Sequence, residues 1–280
     1  MKIDAHQHFW RIARAADYPW MTPELGPLYR DRTPADLAPL LARHGIAATL
    51  LVQASPTVQE TRDLLALARA TPFVRGVVGW CEFADANAPS VIAEFAADPL
   101  LVGLRPMVQD IADDDWLLRA DLAPAFGAMQ RQGLVFDALV HPRHLPRLAV
   151  VIDTHPALPV VVDHGAKPAI GAGSLIAWRR DIAAIAAREH TVCKVSGLVT
   201  ECGGDWSIER LRPVVDHLLD CFGPQRLIWG SDWPVVDLAG GYDDWHASAQ
   251  TLLAGLDAAQ RDAVFGGNAQ RVYLGHRGRP

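Results

Sequence analysis

Leu158-Pro159-Val160-Val161-Val162-Asp163-His164 carries most of the information about how this chain folds. Its valines run on without alternation, the pattern of a strand covered on both faces, as in a parallel sheet flanked by helices. Reading outward, comparable apolar runs occupy Lys2–Ala5, Ala48–Gln53, Val74–Trp80, Leu100–Arg105, Leu134–Val140, Thr191–Val195 and Leu227–Gly230. With Leu158–His164 they make eight expected strands. Helical patterns fill the gaps: Pro34–Arg43, a segment from Thr57 through Ala68, Ala88–Ala97, Leu122–Gln132, Pro142–Thr154, Ser174–Arg188, Ser207–Cys221 and Trp245–Leu256. Thr57-Val58-Gln59-Glu60 reads as a capping box, and Gly45, Gly133 and Gly223 follow helices where a left-handed residue is wanted.

Eight strand–helix repeats in about 250 residues match an α/β (β/α)8 TIM barrel in count and length. An open, doubly wound sheet is the rival, but no GxGxxG follows the first strand. No low-complexity linker divides the chain, so residues 1–280 are expected to form a single domain. Half of the residues are hydrophobic and 21% are charged, which excludes a disordered chain. The formal charge of −6 points away from a nucleic-acid partner. Four scattered cysteines without a CxxC pair fit reduced thiols. With no long apolar run and charge at the very N-terminus, the expectation is a soluble, cytoplasmic protein without a membrane partner. The oligomeric state is not legible.

The links from helix to strand are terse, whereas several from strand to helix are long: Phe9–Thr33, Met107–Asp121, Leu198–Trp206 and Trp233–Asp244. Long loops in a compact domain are usually functional, and these fall at the barrel end that houses active sites. The first strand leads into Asp4-Ala5-His6-Gln7-His8, where His6 and His8 share a face. Neutral imidazoles are common metal ligands, so the pair reads as half of a metal site. His164 and Asp232 sit at the tips of the sixth and eighth strands, at the same mouth. Burying such groups without a task is costly. Arg105, Asp137 and Lys194 extend the set: Arg105 as an oxyanion donor, Lys194 as a donor or Schiff-base amine. An Arg105–Asp137 or Lys194–Asp137 ion pair is the structural alternative.

At these residues the chain resembles the amidohydrolase superfamily, and within it the sugar-lactonase branch of L-fuconolactonases and L-rhamnonolactonases. The matching segments are Ile3–Trp10, Tyr18-Pro19-Trp20, Gly103–Pro106, Asp163–Pro168, Lys194–Leu198 and Gly230–Pro234. The resemblance implies a hydrolase that opens a sugar-acid lactone, with catabolic sugars as its class of substrate. The superfamily's binuclear members add a bridging carboxylated lysine or glutamate and a strand-five histidine, which this chain lacks. At most one divalent ion is therefore expected, zinc in preference, on His6, His8, His164 and Asp232. Some relatives hydrolyse lactones without metal, which leaves its necessity open.

On this reading Asp232 is the general base that activates water. His164, with Arg105, completes the catalytic set by polarising the carbonyl. Glu82, Arg105, Trp116, Asp137, Lys167 and Lys194 are the expected binding residues for the lactone's hydroxyls. A metal-dependent decarboxylase, a hydrolase of aromatic-derived (pyrone or muconolactone-type) lactones and a non-catalytic sugar-binding barrel are the rivals. The scarcity of strand-tip cations argues against dicarboxylated substrates.

Overall fold

A computed structural model describes residues 1–171 and 173–275. Of the expected domain 1–280, Ala172 and residues 276–280 lie outside the described residues. Eight strands form one sheet in sequence order: β1 (Lys2–Gln7), β2 (Ile46–Val52), β3 (Val74–Gly79), β4 (Leu101–Leu104), β5 (Val135–Ala138), β6 (Val160–Val162), β7 (Thr191–Val195) and β8 (Leu227–Trp229). Every adjacent pair is parallel. The ring closes beyond β8, where the Asp232 amide donates to the His6 carbonyl and the His8 amide to the Trp233 carbonyl, both at 2.8 Å. This is a TIM barrel, as the eightfold alternation predicts.

Between the strands run α1 (Pro34–His44), α2 (Val58–Arg69), α3 (Ala88–Ala96), α4 (Ala123–Gln132), α5 (Leu145–Thr154), α6 (Ile176–Ala186) and α7 (Ile208–Phe222), followed by α8 (Tyr242–Leu252) and α9 (Ala258–Asp262). The Thr57 hydroxyl caps α2 by accepting the Glu60 amide at 3.1 Å. The return half of the expected capping box is missing, because the Glu60 carboxylate instead accepts the amides of Ala54 and Ser55 at 3.0 and 2.7 Å. After α9, irregular helical turns continue to Leu274, a segment the apolar periodicity did not reveal.

Strand alternation sorts the side chains. Ile3, Ala5, Leu50, Val78, Val102, Val135, Val161, Val192 and Ile228 fill the barrel interior, and Ala269 and Tyr273 of the C-terminal segment join them. The alternate residues, including Leu51, Val77, Phe136, Val162, Val195 and Trp229, pack outward among the helices. Both faces are apolar, hence the unbroken valine run. The same period of two puts Asp137, Asp163 and Lys194 above Val135, Val161 and Val192, inside the barrel at its C-terminal end.

Candidate active site

The two histidines of β1 reach the barrel centre through an irregularity. Asp4 pairs with Thr49 and Gln7 with Leu51, three residues of β1 advancing against two of β2. Asp4 faces outward, accepting the Tyr242 hydroxyl of α8 at 3.2 Å and the Ser231 amide at 2.8 Å. Strict alternation would send His6 outward as well. The bulge turns it inward instead, a common use of bulges beside active sites. Gly230 permits this, since a Cβ there would stand 2.7 Å from that of His6.

His164 and Asp232 enter by backbone turns. Both adopt left-handed conformations, with φ of 54° and 58°, which non-glycine residues rarely do outside functional sites. Their side chains meet over Gly197, where an added Cβ would lie 2.6 Å from His164 Nδ1 and 3.1 Å from Asp232 Oδ2.

Asp232 Oδ1 stands 3.4 Å from His8 Nε2, 3.6 Å from His6 Nε2 and 3.9 Å from His164 Nε2. All four residues are buried. A tetrahedral ion with bonds of about 2.0–2.1 Å holds its donors roughly 3.3–3.4 Å apart, and His6, His8 and Asp232, whose donors all lie within 4.8 Å of one another, come near that size, with His164 farther out. Outer partners orient the rings: His8 Nδ1 lies 2.8 Å from the Val52 carbonyl and His164 Nδ1 2.8 Å from Ser196 Oγ. Burial lowers the pKa of His164, and burial with the neighbouring Lys194 lowers that of His6, which favours the neutral form that ligation requires. Burial opposes the charge on Asp232, but His164, His8 and His6 outweigh it and hold the carboxyl below its usual range. A second grouping of His6, Asp163 and His164 shares both imidazoles with the first, and its carboxylate lies 3.0 Å from Lys194 Nζ.

Beneath the cluster lies a sealed charge network. Lys194 Nζ is 2.5 Å from Asp137, 3.0 Å from Asp163 and 3.3 Å from His6 Nδ1. The Tyr273 hydroxyl donates to the other Asp137 oxygen at 2.6 Å. Arg105 Nη1 reaches His6 Nε2 at 3.2 Å and Asp163 at 3.4 Å, while Nη2 donates to the Gln53 carbonyl. Burial raises the Asp137 pKa to about 6 despite Lys194. For Asp163 the same burial is outweighed by Lys194 and His6, and its pKa falls well below the ordinary value.

Above the cluster opens a cavity of about 300 Å³ lined by His8, His164, Asp232, Arg105 and Lys167, with Trp10, Trp20, Leu25, Leu28 and Met107 among its apolar walls. The Phe9–Thr33 loop supplies four of those walls and packs on itself through Trp10, Tyr18, Met21 and Leu28. The Trp20 indole fixes the loop to the barrel by donating to the Ala54 carbonyl at 2.7 Å.

Residues 3–274 match the amidohydrolase family. The chain belongs to that family. This amidohydrolase is 47% identical over 278 residues to the L-fucono-1,5-lactonase of Burkholderia ambifaria, a match covering 97% of this chain and 95% of that one. It is 39% identical over 291 residues to the L-fucono-1,5-lactonase of Burkholderia multivorans, with 98% and 96% covered. Among solved structures it resembles an amidohydrolase from Burkholderia multivorans with bound zinc, at a TM-score of 0.92 and 39% identity over 98% of this chain and 99% of that one. The imidazole–carboxylate cluster likewise suits a divalent metal.

The structure places His6, His8, His164, Asp232 and Arg105 near one another at the barrel mouth, and Lys167 on the same cavity. Four expected substrate contacts need correction. Asp137 and Lys194 are fully buried and paired with each other, so the structural alternative holds and neither faces the cavity. Glu82 and Trp116 line a different cavity, across a wall formed by Trp20, Met107 and Asp110. Asp163 and Tyr273 were missed. Asp163 could have been found by counting two residues on from Val161. Tyr273 carries no local signal, because only the fold returns the C-terminal segment to the barrel.

Proposed function

We propose that this amidohydrolase opens a sugar-acid lactone of the L-fucono-1,5 type to the free aldonic acid. One observation carries the reading: a carboxylate ringed by three imidazoles at the base of a cavity that also holds a guanidinium. The two lactonase relatives support the choice of substrate.

Asp232 takes a proton from water as the water oxygen bonds to the lactone carbonyl carbon. Arg105, held by Gln53 and Asp163, donates to the oxyanion that forms. His164, fixed by Ser196, orients the carbonyl from the cavity wall. The bond from that carbon to the ring oxygen then breaks, and the proton on Asp232 passes to the departing alkoxide. A single zinc ion on His6, His8, His164 and Asp232 would supply Lewis-acid polarisation of the carbonyl. Without it, stabilisation would rest on Arg105 and the imidazoles.

Lys167, Gln109 and Asp110 line the cavity at positions suited to ring hydroxyls, and Trp10 and Trp20 offer apolar faces. A dicarboxylate suits this mouth poorly. Lys194 is sealed away, and Lys167 pairs with Glu201 at 2.9 Å, which leaves too few free cations for a dianion.

The test is acid release from L-fuconolactone and a panel of aldonolactones, with metal-free and zinc-loaded enzyme, comparing wild type with Asp232→Asn. Loss of the base is expected to lower kcat by at least about 100-fold with folding intact. A variant within about tenfold of wild type would overturn the role of Asp232. No acid release by the wild type in either metal state would overturn the lactonase reading.

A further inference from the structure

The larger cavity at the barrel mouth is not the one over the histidines. It measures about 680 Å³ against about 300 Å³, and the two share Trp20, Met107 and Asp110 as a common wall. The first is suited to one lactone ring, and the second lies beside it.

Its lining combines aromatic rings with carboxylates, each of which takes one local hydrogen bond: Glu82 from the Ala84 amide, Asp110 from the Gln109 side-chain amide and Asp113 from the Asp115 amide. Half-buried Trp20 and Trp80 supply ring faces, Trp116 and Phe83, both buried, line it as well, and Glu82, Asp110 and Asp113 supply carboxylates. None of these three acids forms an ion pair among the described residues, whereas Arg119 is engaged by Asp121. The indoles of Trp10, Trp20, Trp178 and Trp245 all donate to backbone carbonyls. Those of Trp80 and Trp116 have no such partner among the described residues, so two N–H donors join the acceptors.

Aromatic faces pack against the C–H face of a sugar, while carboxylates and indole N–H groups pair with its hydroxyls. An anion would meet three carboxylates and one guanidinium that is already taken. A cation is not required, because all three acids are solvent-exposed and need no compensating charge. We propose that this compartment is a subsite for a neutral, hydroxyl-rich ring carried as a substituent on the lactone: a second sugar unit. The proposal rests on the lactonase reading for its link to turnover. It also gives Glu82 and Trp116 a role in sugar recognition one compartment away from the reacting ring.

Two measurements test it. In the first, indole fluorescence is titrated with methyl galactoside and methyl fucoside. Saturable binding is expected, weakened at least about fivefold by Trp116→Ala and by Glu82→Gln, the loss of a ring face or a charged acceptor. Glu82 is exposed, so its variant leaves packing untouched. In the second, kcat/KM is measured for L-fuconolactone and for isomers bearing one hexosyl unit on different hydroxyls. At least one isomer is expected to be hydrolysed, with its kcat/KM relative to the bare lactone falling about tenfold in Glu82→Gln.

No saturable glycoside binding, or saturation by choline alone, would overturn the sugar subsite. Rejection of every isomer alongside turnover of the bare lactone would overturn its place in the substrate path. If the bare lactone itself is not hydrolysed, the lactonase reading fails while the glycoside titration still decides the subsite.

Discussion

Replacing Lys194 by methionine removes the only ammonium from a network with no access to water. The side chain is fully buried, as are Asp137 at 2.5 Å and Asp163 at 3.0 Å. Methionine fills similar space without charge. Breaking a buried pair by deleting one partner costs about 3–5 kcal/mol, mostly because the remaining charge stays desolvated. Here two carboxylates lose one cation, but Arg105 still faces Asp163 at 3.4 Å, so we expect about 4 kcal/mol, or roughly 7 °C in Tm.

The loss should depend on pH, with a definite sign. Asp137 already titrates at about 6, above its ordinary 3.8, because of burial, and Lys194 is the strongest influence holding it down. A raised carboxyl pKa means that the folded protein binds the proton more tightly than the unfolded chain, so stability falls as pH rises through that window. Without Lys194 the window extends upward, and Lys194→Met should lose least near about pH 5 and most near about pH 8. Urea denaturation at both pH values is the assay. The double variant Lys194→Met/Asp137→Asn should recover much of the loss, since the amide carries no charge to strand. A loss below about 1 kcal/mol near about pH 8, or a double variant no more stable than the single one, would refute the reasoning.

Two other outcomes follow from the same geometry. Glu60 is buried and its carboxyl is raised from 4.5 to about 7, so wild-type stability should fall across that interval by up to about 3 kcal/mol, and Glu60→Gln should flatten the profile; parallel unfolding curves against pH for the two proteins would contradict this. Metal analysis of zinc-loaded protein should find no more than one equivalent at the cluster, with affinity lost in His8→Ala; two equivalents, or unchanged affinity in that variant, would mean that the ligand set is wrong.

The barrel was legible because its determinants are local and repeated. Each strand is a short apolar run with both faces covered, each helix has a periodic stripe, and β/α alternation leaves few topologies. Some element ends are close, as Val74–Gly79 against the expected Val74–Trp80 and Thr191–Val195 unchanged, whereas β6 is only Val160–Val162 within the expected Leu158–His164. The segment after α8 was not legible. Its contacts with the barrel include Ala269 and Tyr273 and the Asn268 amide that donates to the Leu227 carbonyl at 2.8 Å, and nothing near them in sequence announces a partner such as Asp137, which lies 136 residues away.

The site was legible as a set of residues but not as directions. Spacing correctly put His6 and His8 on one face, yet strict alternation from Ile3 and Ala5 would have made that the helix side. A bulge in β1 reverses it, and the backbone signals nothing of this in residue type. His164 presents the same problem. Asp163 follows Val161 into the barrel by simple period, so His164 should point out, and only a φ of 54° returns its ring to Asp232. Side-chain periodicity therefore finds the supporting network of Asp137, Asp163 and Lys194, which obeys the strand. The metal-ligating candidates depart from that regularity, since β1 is bulged and His164 and Asp232 are left-handed. Such conformations persist only where surrounding contacts hold them. Gly197 and Gly230 are two of those supports, because a Cβ would press on the His164 ring at the first and on the His6 Cβ and backbone at the second. Glycines at strand tips, read together with the histidines they admit, are thus the part of the sequence that encodes the geometry of this site.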